Sequence, residues 1–270
     1  MKRSALFCAA LLGMGIAHAQ DGPTFGIGTD YSSGDYGSDI TTKIWSVPLT
    51  AKYTTGNWIW RASLPWLRVD GDVGVIPGLG NVGNSNPQGR GRGKGRNTAP
   101  TDPVPAPEPE TGSASGVGDL RLAATHAFDT GGPLGIDLTG NVKFATADED
   151  KGLGTGENDY GLAVDLYRDF DGTLMFGGIG YTMLGDSEFI LLDDVFNANV
   201  GATWHVGPGS LGAMYDWRQA ASDDSDDRSE VTGFFTTPTG DASRLQLYGT
   251  AGLSDGSPQW AAGLNFSTDF

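Results

Sequence analysis

The sequence predicts an all-β fold: a single transmembrane antiparallel β-barrel of about 12 strands, with short periplasmic turns and long extracellular loops. Three observations carry this expectation. The chain has 43 glycines and 14 prolines among 270 residues, more helix breakers than a helix-rich protein tolerates. Only 38% of its residues are hydrophobic, so a large conventional core would be poorly supplied. Apolar and polar residues alternate with period two, and the connections between alternating segments are short and long by turns.

The N-terminus is read first. Lys2 and Arg3 precede an apolar run at 5–16, which leads into Ala17-His18-Ala19. A charged start, a short apolar stretch and an A-x-A site are the parts of a cleaved signal peptide, 1–19. The run is short of the ~20 residues that a spanning helix needs. The sole cysteine, Cys8, lies inside it, so the exported chain, 20–270, would hold neither a disulfide nor a thiolate metal site.

Strands are then expected at 24–32, 41–54, 57–69, 117–128, 133–146, 158–170, 173–184, 194–206, 210–221, 229–238, 243–253 and 258–270. Trp58, Trp60, Ala62, Leu64 and Trp66 alternate with Arg61 and Ser63. Ile136, Leu138, Val142 and Phe144 alternate with Asp137, Thr139, Asn141 and Lys143. Phe196, Ala198, Val200, Ala202, Trp204 and Val206 alternate with Asn197, Asn199, Thr203 and His205. One apolar face per strand means that the two faces meet different media, which a soluble sandwich would also require.

The connections favour the barrel. Thr55-Gly56, Asp129-Thr130-Gly131-Gly132, Asp171-Gly172, Gly207-Pro208-Gly209 and Thr239-Gly240 are tight turns with glycine where positive φ is needed. The alternate connections, 33–40, 70–116, 147–157, 185–193 and 222–228, are longer and polar, and only 254–257 is short. Short turns on one side, long loops on the other and an even strand count are the bacterial outer-membrane pattern. Trp260, Ala262, Leu264, Phe266 and the terminal Phe270 share one face of the last strand. A final aromatic there is similar to the signal read by the barrel assembly machinery. Trp58, Trp60, Trp66, Tyr160, Phe170, Tyr181, Trp204 and Trp217 fall near strand ends, where interfacial girdles belong. Open sheet edges in lipid would leave backbone groups unpaired at several kcal/mol each, so the sheet must close.

Several motifs then follow in order. Gly116-Val117-Gly118-Asp119-Leu120 opens a strand, and Lys143-Phe144-Ala145-Thr146 ends the next. Gly152-Leu153-Gly154-Thr155-Gly156, Asp159-Tyr160-Gly161-Leu162 and Gly178-Ile179-Gly180-Tyr181 come after. This order, over 116–270, resembles the outer-membrane transporter-like family associated with the phenol meta-cleavage pathway. That family is distantly similar to channels for fatty acids and aromatic hydrocarbons. The chain departs from its K-x-P-T-G-D pattern, with Ala145 and Ala147 in place of Pro and Gly. The resemblance implies a barrel in the bacterial outer membrane that takes up small hydrophobic, aromatic or anionic solutes.

Inward parity places Asp30, Lys52, Arg61, Arg121, Asp137, Lys143, Asp165, Asp216 and Arg218 in the lumen. They either pair across strands and fill space, or leave Arg61, Arg121, Lys143 and Arg218 to line a constriction that selects anionic or aromatic solutes. Pro48, Pro65 and Pro238 are strand-interior prolines that would mark a kink or lateral opening. The loop at 70–116 is expected to be flexible. It carries Arg90, Arg92, Lys94 and Arg96 between glycines, then a proline-rich run. On the outer surface these cations would meet lipopolysaccharide phosphates; a surface-binding or adhesive barrel acting through this loop is the alternative function.

Nucleic acid is not an expected partner. The net charge is −16, and the arginine-glycine stretch has no aromatics to stack bases. The acidic runs at 148–150 and 223–227 lack calcium-hand spacing, and no cofactor is expected. An outer-membrane hydrolase is a distant third reading. The exported chain has only His126 and His205, both near the tight-turn end, and nothing sets a nucleophile beside a base.

Overall fold

A computed structural model describes residues 21–86, 89–90, 111–223 and 225–270. The expected signal peptide lies outside these residues, as do Arg92, Lys94 and Arg96. The strands are β1 (Gly22–Gly34), β2 (Thr42–Thr55), β3 (Trp58–Asp72), β4 (Val75–Ile76), β5 (Gly80–Asn81), β6 (Thr111–Val117), β7 (Leu120–Phe128) and β8 (Leu134–Phe144). They continue with β9 (Asp159–Phe170), β10 (Thr173–Met183), β11 (Val195–Val206), β12 (Gly209–Arg218), β13 (Arg228–Pro238), β14 (Ser243–Gly252) and β15 (Trp260–Asp269).

Thirteen of these form one antiparallel sheet, and β4 and β5 form a separate hairpin. β6 and β7 both pair with β3, so together they hold one position and the barrel has twelve. Closure comes from β1 against β15, in register from Thr24 opposite Asp269 to Ser33 opposite Trp260. The Phe270 amide donates to the Pro23 carbonyl at 2.9 Å, and the Phe25 and Phe270 rings meet edge to face at 5.7 Å.

Local sequence explains the strand ends. Asp171 and Gly172 have φ of 52° and 94°, so both central residues of the β9–β10 turn are left-handed, as a two-residue hairpin matched to strand twist requires. Outside the barrel, Ile27, Leu49, Leu162, Ile179, Phe196 and Val200 are each at least half exposed and form the lipid-facing band. Trp58 and Trp60 stack near the tight-turn end, and Tyr160 and Trp260 stand near the other.

Of the loop expected to be flexible at 70–116, residues 87–88 and 91–110 lie outside the described residues, and the described parts contain strands. β3 runs on to Asp72, β4 and β5 make a hairpin, and β6 already begins at Thr111. Apolar residues hold this segment inward. Val75 packs with Tyr36, Ile44, Leu67, Val69 and Leu153, while Ile76 and Val82 pack with Ile190, Leu192, Val195 and Ala221. Burying those side chains, at about 1.5–3 kcal/mol each, offsets the entropy of ordering the hairpin.

Candidate functional site

The inward face carries two unlike walls. Leu174 and Phe176 on β10, Met214 on β12 and Phe234 on β13 form a buried apolar cluster, with Tyr167 and Tyr248 packed against it. The Phe234 ring lies across Gly212, its register partner on β12, where any β-carbon would collide with the ring. Glycine opposite an aromatic residue lets the ring lie along the wall instead of projecting into the lumen. Inward parity had singled out only charged groups here. On β10 both faces are apolar, Leu174 and Phe176 inward against Met175 and Ile179 outward, so alternation alone gave no signal.

The second wall is charged. Asp137 on β8 and Asp165 on β9 are direct register partners, 0% and 5% exposed. The Tyr167 hydroxyl donates to Asp137 Oδ1 at 3.3 Å. Arg61 on β3 reaches Thr125 Oγ1 at 3.4 Å and lies within electrostatic range of both carboxylates. Asp30 accepts from the Tyr248 hydroxyl at 2.8 Å. Other charges pair off on the strands that also carry the apolar cluster. Arg228 donates twice to Glu230, at 2.5 and 2.8 Å, and Arg244 bridges to Asp269.

The four cations expected to form one constriction separate into three settings. Lys143 is held by Asp159 at 2.8 Å, Thr155 Oγ1 at 3.0 Å and Asp119 at 3.7 Å, so it ties the top of β8 to the connection at 145–158. Arg61 belongs to the Asp137–Asp165 group. Arg121 and Arg218 converge on the inserted β4–β5 hairpin: Arg218 donates to the carbonyls of Gly78 and Leu79 at 2.5 and 2.6 Å, and Arg121 ends beside Gly78. Asp216 is Arg218's neighbour on the same inward face of β12, with Asn199 and Glu230 as register partners.

Arg90 is a correction. Expected as a surface anion contact, it is 4% exposed and donates to the carbonyls of Asp72, Val75 and Gly152 at 2.5, 3.1 and 3.3 Å. Burial pulls its guanidinium below the usual arginine value, partly offset by Asp72 and Asp70. It joins the hairpin stem to the connection at 145–158 instead of facing solvent. Tyr36, buried in the same region, has its hydroxyl raised above the usual phenol value by desolvation.

Pro48 and Pro65 face each other across β2 and β3, and Pro238 ends β13. Opposite Pro65 the next strand breaks at Gly118–Asp119, where the Gly118 amide donates to the Pro65 carbonyl at 2.8 Å. The connection at 145–158 fills the break. Thr146 and Ala147 amides donate to Asp119 Oδ1 at 3.1 and 2.9 Å, and Leu120 donates to Thr146 Oγ1 at 2.9 Å.

Among the described residues of the acidic runs, Asp148, Asp150 and Asp227 have partners, and Asp150 accepts from Asn86 Nδ2 at 3.0 Å. Asp148 bridges to Lys151 at 2.8 Å, which holds its carboxyl below the usual range. Asp227 accepts from Trp217 Nε1 and the Ala220 amide. His126 lies between Trp58 and Phe128, and His205 Nδ1 is 3.4 Å from the Gly172 carbonyl. Both sit at the tight-turn end of the barrel.

Solved structures share this architecture. An outer membrane channel from Pseudomonas putida F1 superposes with a TM-score of 0.63 at 17% identity, over 93% of this chain and 96% of that one. The NanC porin gives 0.52 at 10% identity, over 91% and 98%. The translocator domain of the autotransporter NalP from Neisseria meningitidis gives 0.50 at 11% identity, over 94% and 90%. At these identities the likeness is one of fold, the outer-membrane barrel. No curated protein matches the sequence. A family model matches residues 20–270, and so takes in the N-terminal half that the motif resemblance left out. This bacterial outer-membrane β-barrel belongs to the family described as "Putative MetA-pathway of phenol degradation".

Proposed function

We propose that the barrel passes small amphipathic aromatic solutes, a ring carrying a polar or anionic group, across the outer membrane through its lumen. The observation that carries this reading is the pair of unlike walls. An apolar strip of Tyr167, Leu174, Phe176, Met214, Phe234 and Tyr248 shares the lumen with the polar group of Arg61, Asp137 and Asp165. A buried strip of aromatic and aliphatic side chains offers a hydrated ion nothing in exchange for its water. A ring gains from apolar contact on one side while its polar substituent keeps hydrogen bonds on the other. The family description names phenol degradation, and the Pseudomonas putida barrel is described as a channel; both fit this reading.

Uptake by porin-deficient bacteria tests it, with radiolabelled benzyl alcohol, benzoate and arabinose as probes. Expression of the protein is expected to speed entry of the two aromatic solutes several-fold over arabinose. Phe176→Ser with Phe234→Ser is expected to abolish that preference. Equal acceleration of arabinose, or none of the aromatic solutes, overturns the reading.

A further inference from the structure

The β4–β5 hairpin meets Arg218 as a carboxylate would. Nη1 donates to the Gly78 carbonyl at 2.5 Å and Nη2 to the Leu79 carbonyl at 2.6 Å. Two oxygens thus fill two nitrogens of one planar fork, the arrangement that a carboxylate completes in bidentate form. Arg218 Nε is buried with no hydrogen-bond partner among the described residues. The Arg121 guanidinium adds a second cation, 3.0 Å from where a β-carbon on Gly78 would stand. Of the neighbouring carboxylates, Glu230 is taken by two bonds from Arg228, and Asp216 on Arg218's own face of β12 attracts it electrostatically. Two guanidinium groups therefore converge on a turn that carries no charge.

We propose that Arg218, with Arg121, is the binding site for the carboxylate of an aromatic acid, and that the turn at 77–79 occupies this site as an internal competitor. The inference rests on the uptake reading and adds the solute's charge class and the element that yields to it. The bonds to the turn are charge-assisted on the donor side alone, whereas a carboxylate matches the fork in bidentate form and adds Coulombic attraction to both guanidinium groups. An incoming carboxylate trades places with the turn without leaving the guanidinium bare, so the exchange avoids the cost of an unpaired buried charge. The displaced turn leaves the lumen between β7 and β12. A neutral ring has no group to trade and enters only when the turn has moved.

Calorimetric titration of the refolded barrel with sodium benzoate, and with benzyl alcohol as the neutral control, tests the competition. Three proteins are compared: the wild type, Arg218→Gln, and a variant with residues 76–80 replaced by Gly-Ser, which keeps the Val75 carbonyl for Arg90. A competitor lowers apparent affinity by the fraction of time it holds the site, so the shortened variant is expected to bind benzoate at least about tenfold more tightly than wild type. Arg218→Gln is expected to weaken benzoate by a similar factor and, because it also frees the turn, to leave benzyl alcohol binding as tight as in the wild type or tighter. Arg218→Lys keeps the charge without the fork and is expected to fall between; it serves in place of the glutamine variant if that fails to show the gel mobility of a folded barrel. Benzoate affinity unchanged or weakened by shortening the hairpin overturns the proposal, as does tight benzoate binding without Arg218. Uptake of neither aromatic solute above that of cells lacking the protein, with the benzoate binding pattern intact, removes the transport reading and leaves the competition standing.

Discussion

At the level of single residues, the lumen is decided by which charges find partners. Lys143 sits between Asp159 and Asp119 with under a tenth of its side chain exposed. Removing one partner of a buried ionic group leaves an uncompensated charge and costs about 3–5 kcal/mol. Lys143→Met is therefore expected to lower barrel stability by that order, read as a shift of the urea midpoint in detergent. Lys143→Met with Asp159→Leu is expected to recover part of it, because one of the two carboxylates left bare is removed with the ammonium while Asp119 stays. Inward parity put Lys143 in the lumen, but its pairing was not legible: Asp119 and Thr155 reach it from segments far apart in sequence, one at a strand break and one in a loop. Arg90 was misread for the same reason. An arginine between glycines looks solvated, and only the fold brings three carbonyls around it.

At the level of elements, the β4–β5 hairpin folds back between Arg121 and Arg218 on the inward face of the barrel. Its stem is fastened by Arg90 and its turn by Arg218. Hydrogen bonds to a charged group contribute about 1.5–3 kcal/mol each, so losing even one shifts the docked equilibrium by about tenfold or more. Arg90→Ala is expected to raise single-channel open time by about that factor in a planar bilayer, while the thermal stability of the barrel itself stays within about 1 kcal/mol. An unchanged open time would mean that apolar packing of Val75 and Ile76 alone holds the hairpin. The break between β6 and β7 was only half legible. Pro65 marks it, since proline donates no ladder hydrogen bond, but the connection at 145–158 that fills it could not be placed from sequence.

For the whole molecule, stability depends on closure and on a lipid-facing surface. Ile179 is 69% exposed on the outer face of β10, and its neighbour Gly178 faces inward beneath Asp165. Arginine on the lipid face at mid-depth costs about 2–4 kcal/mol. Ile179→Arg is expected to lower folding stability by that amount in vesicles and by much less in detergent, where the charge reaches water. Equal losses in both would place Ile179 away from the bilayer centre.

The sequence alone determined the barrel, its strand count and the short-turn and long-loop ends, because alternation, turn residues and closure are local or follow from pairing neighbours in order. With one exception the expected strands end within three residues of the observed ones; the exception is the segment expected at 117–128, which begins at Thr111 and is split in two. What fills the lumen was decided only by tertiary structure. A side chain's parity says which face it leaves from. Whether it then meets lipid, water, an opposing charge or an inserted turn depends on strands at the far side of the barrel and on loops that fold back inside it. The hairpin between Arg121 and Arg218 is such a contact, fixed by the curvature of the closed sheet and by no pattern along the chain.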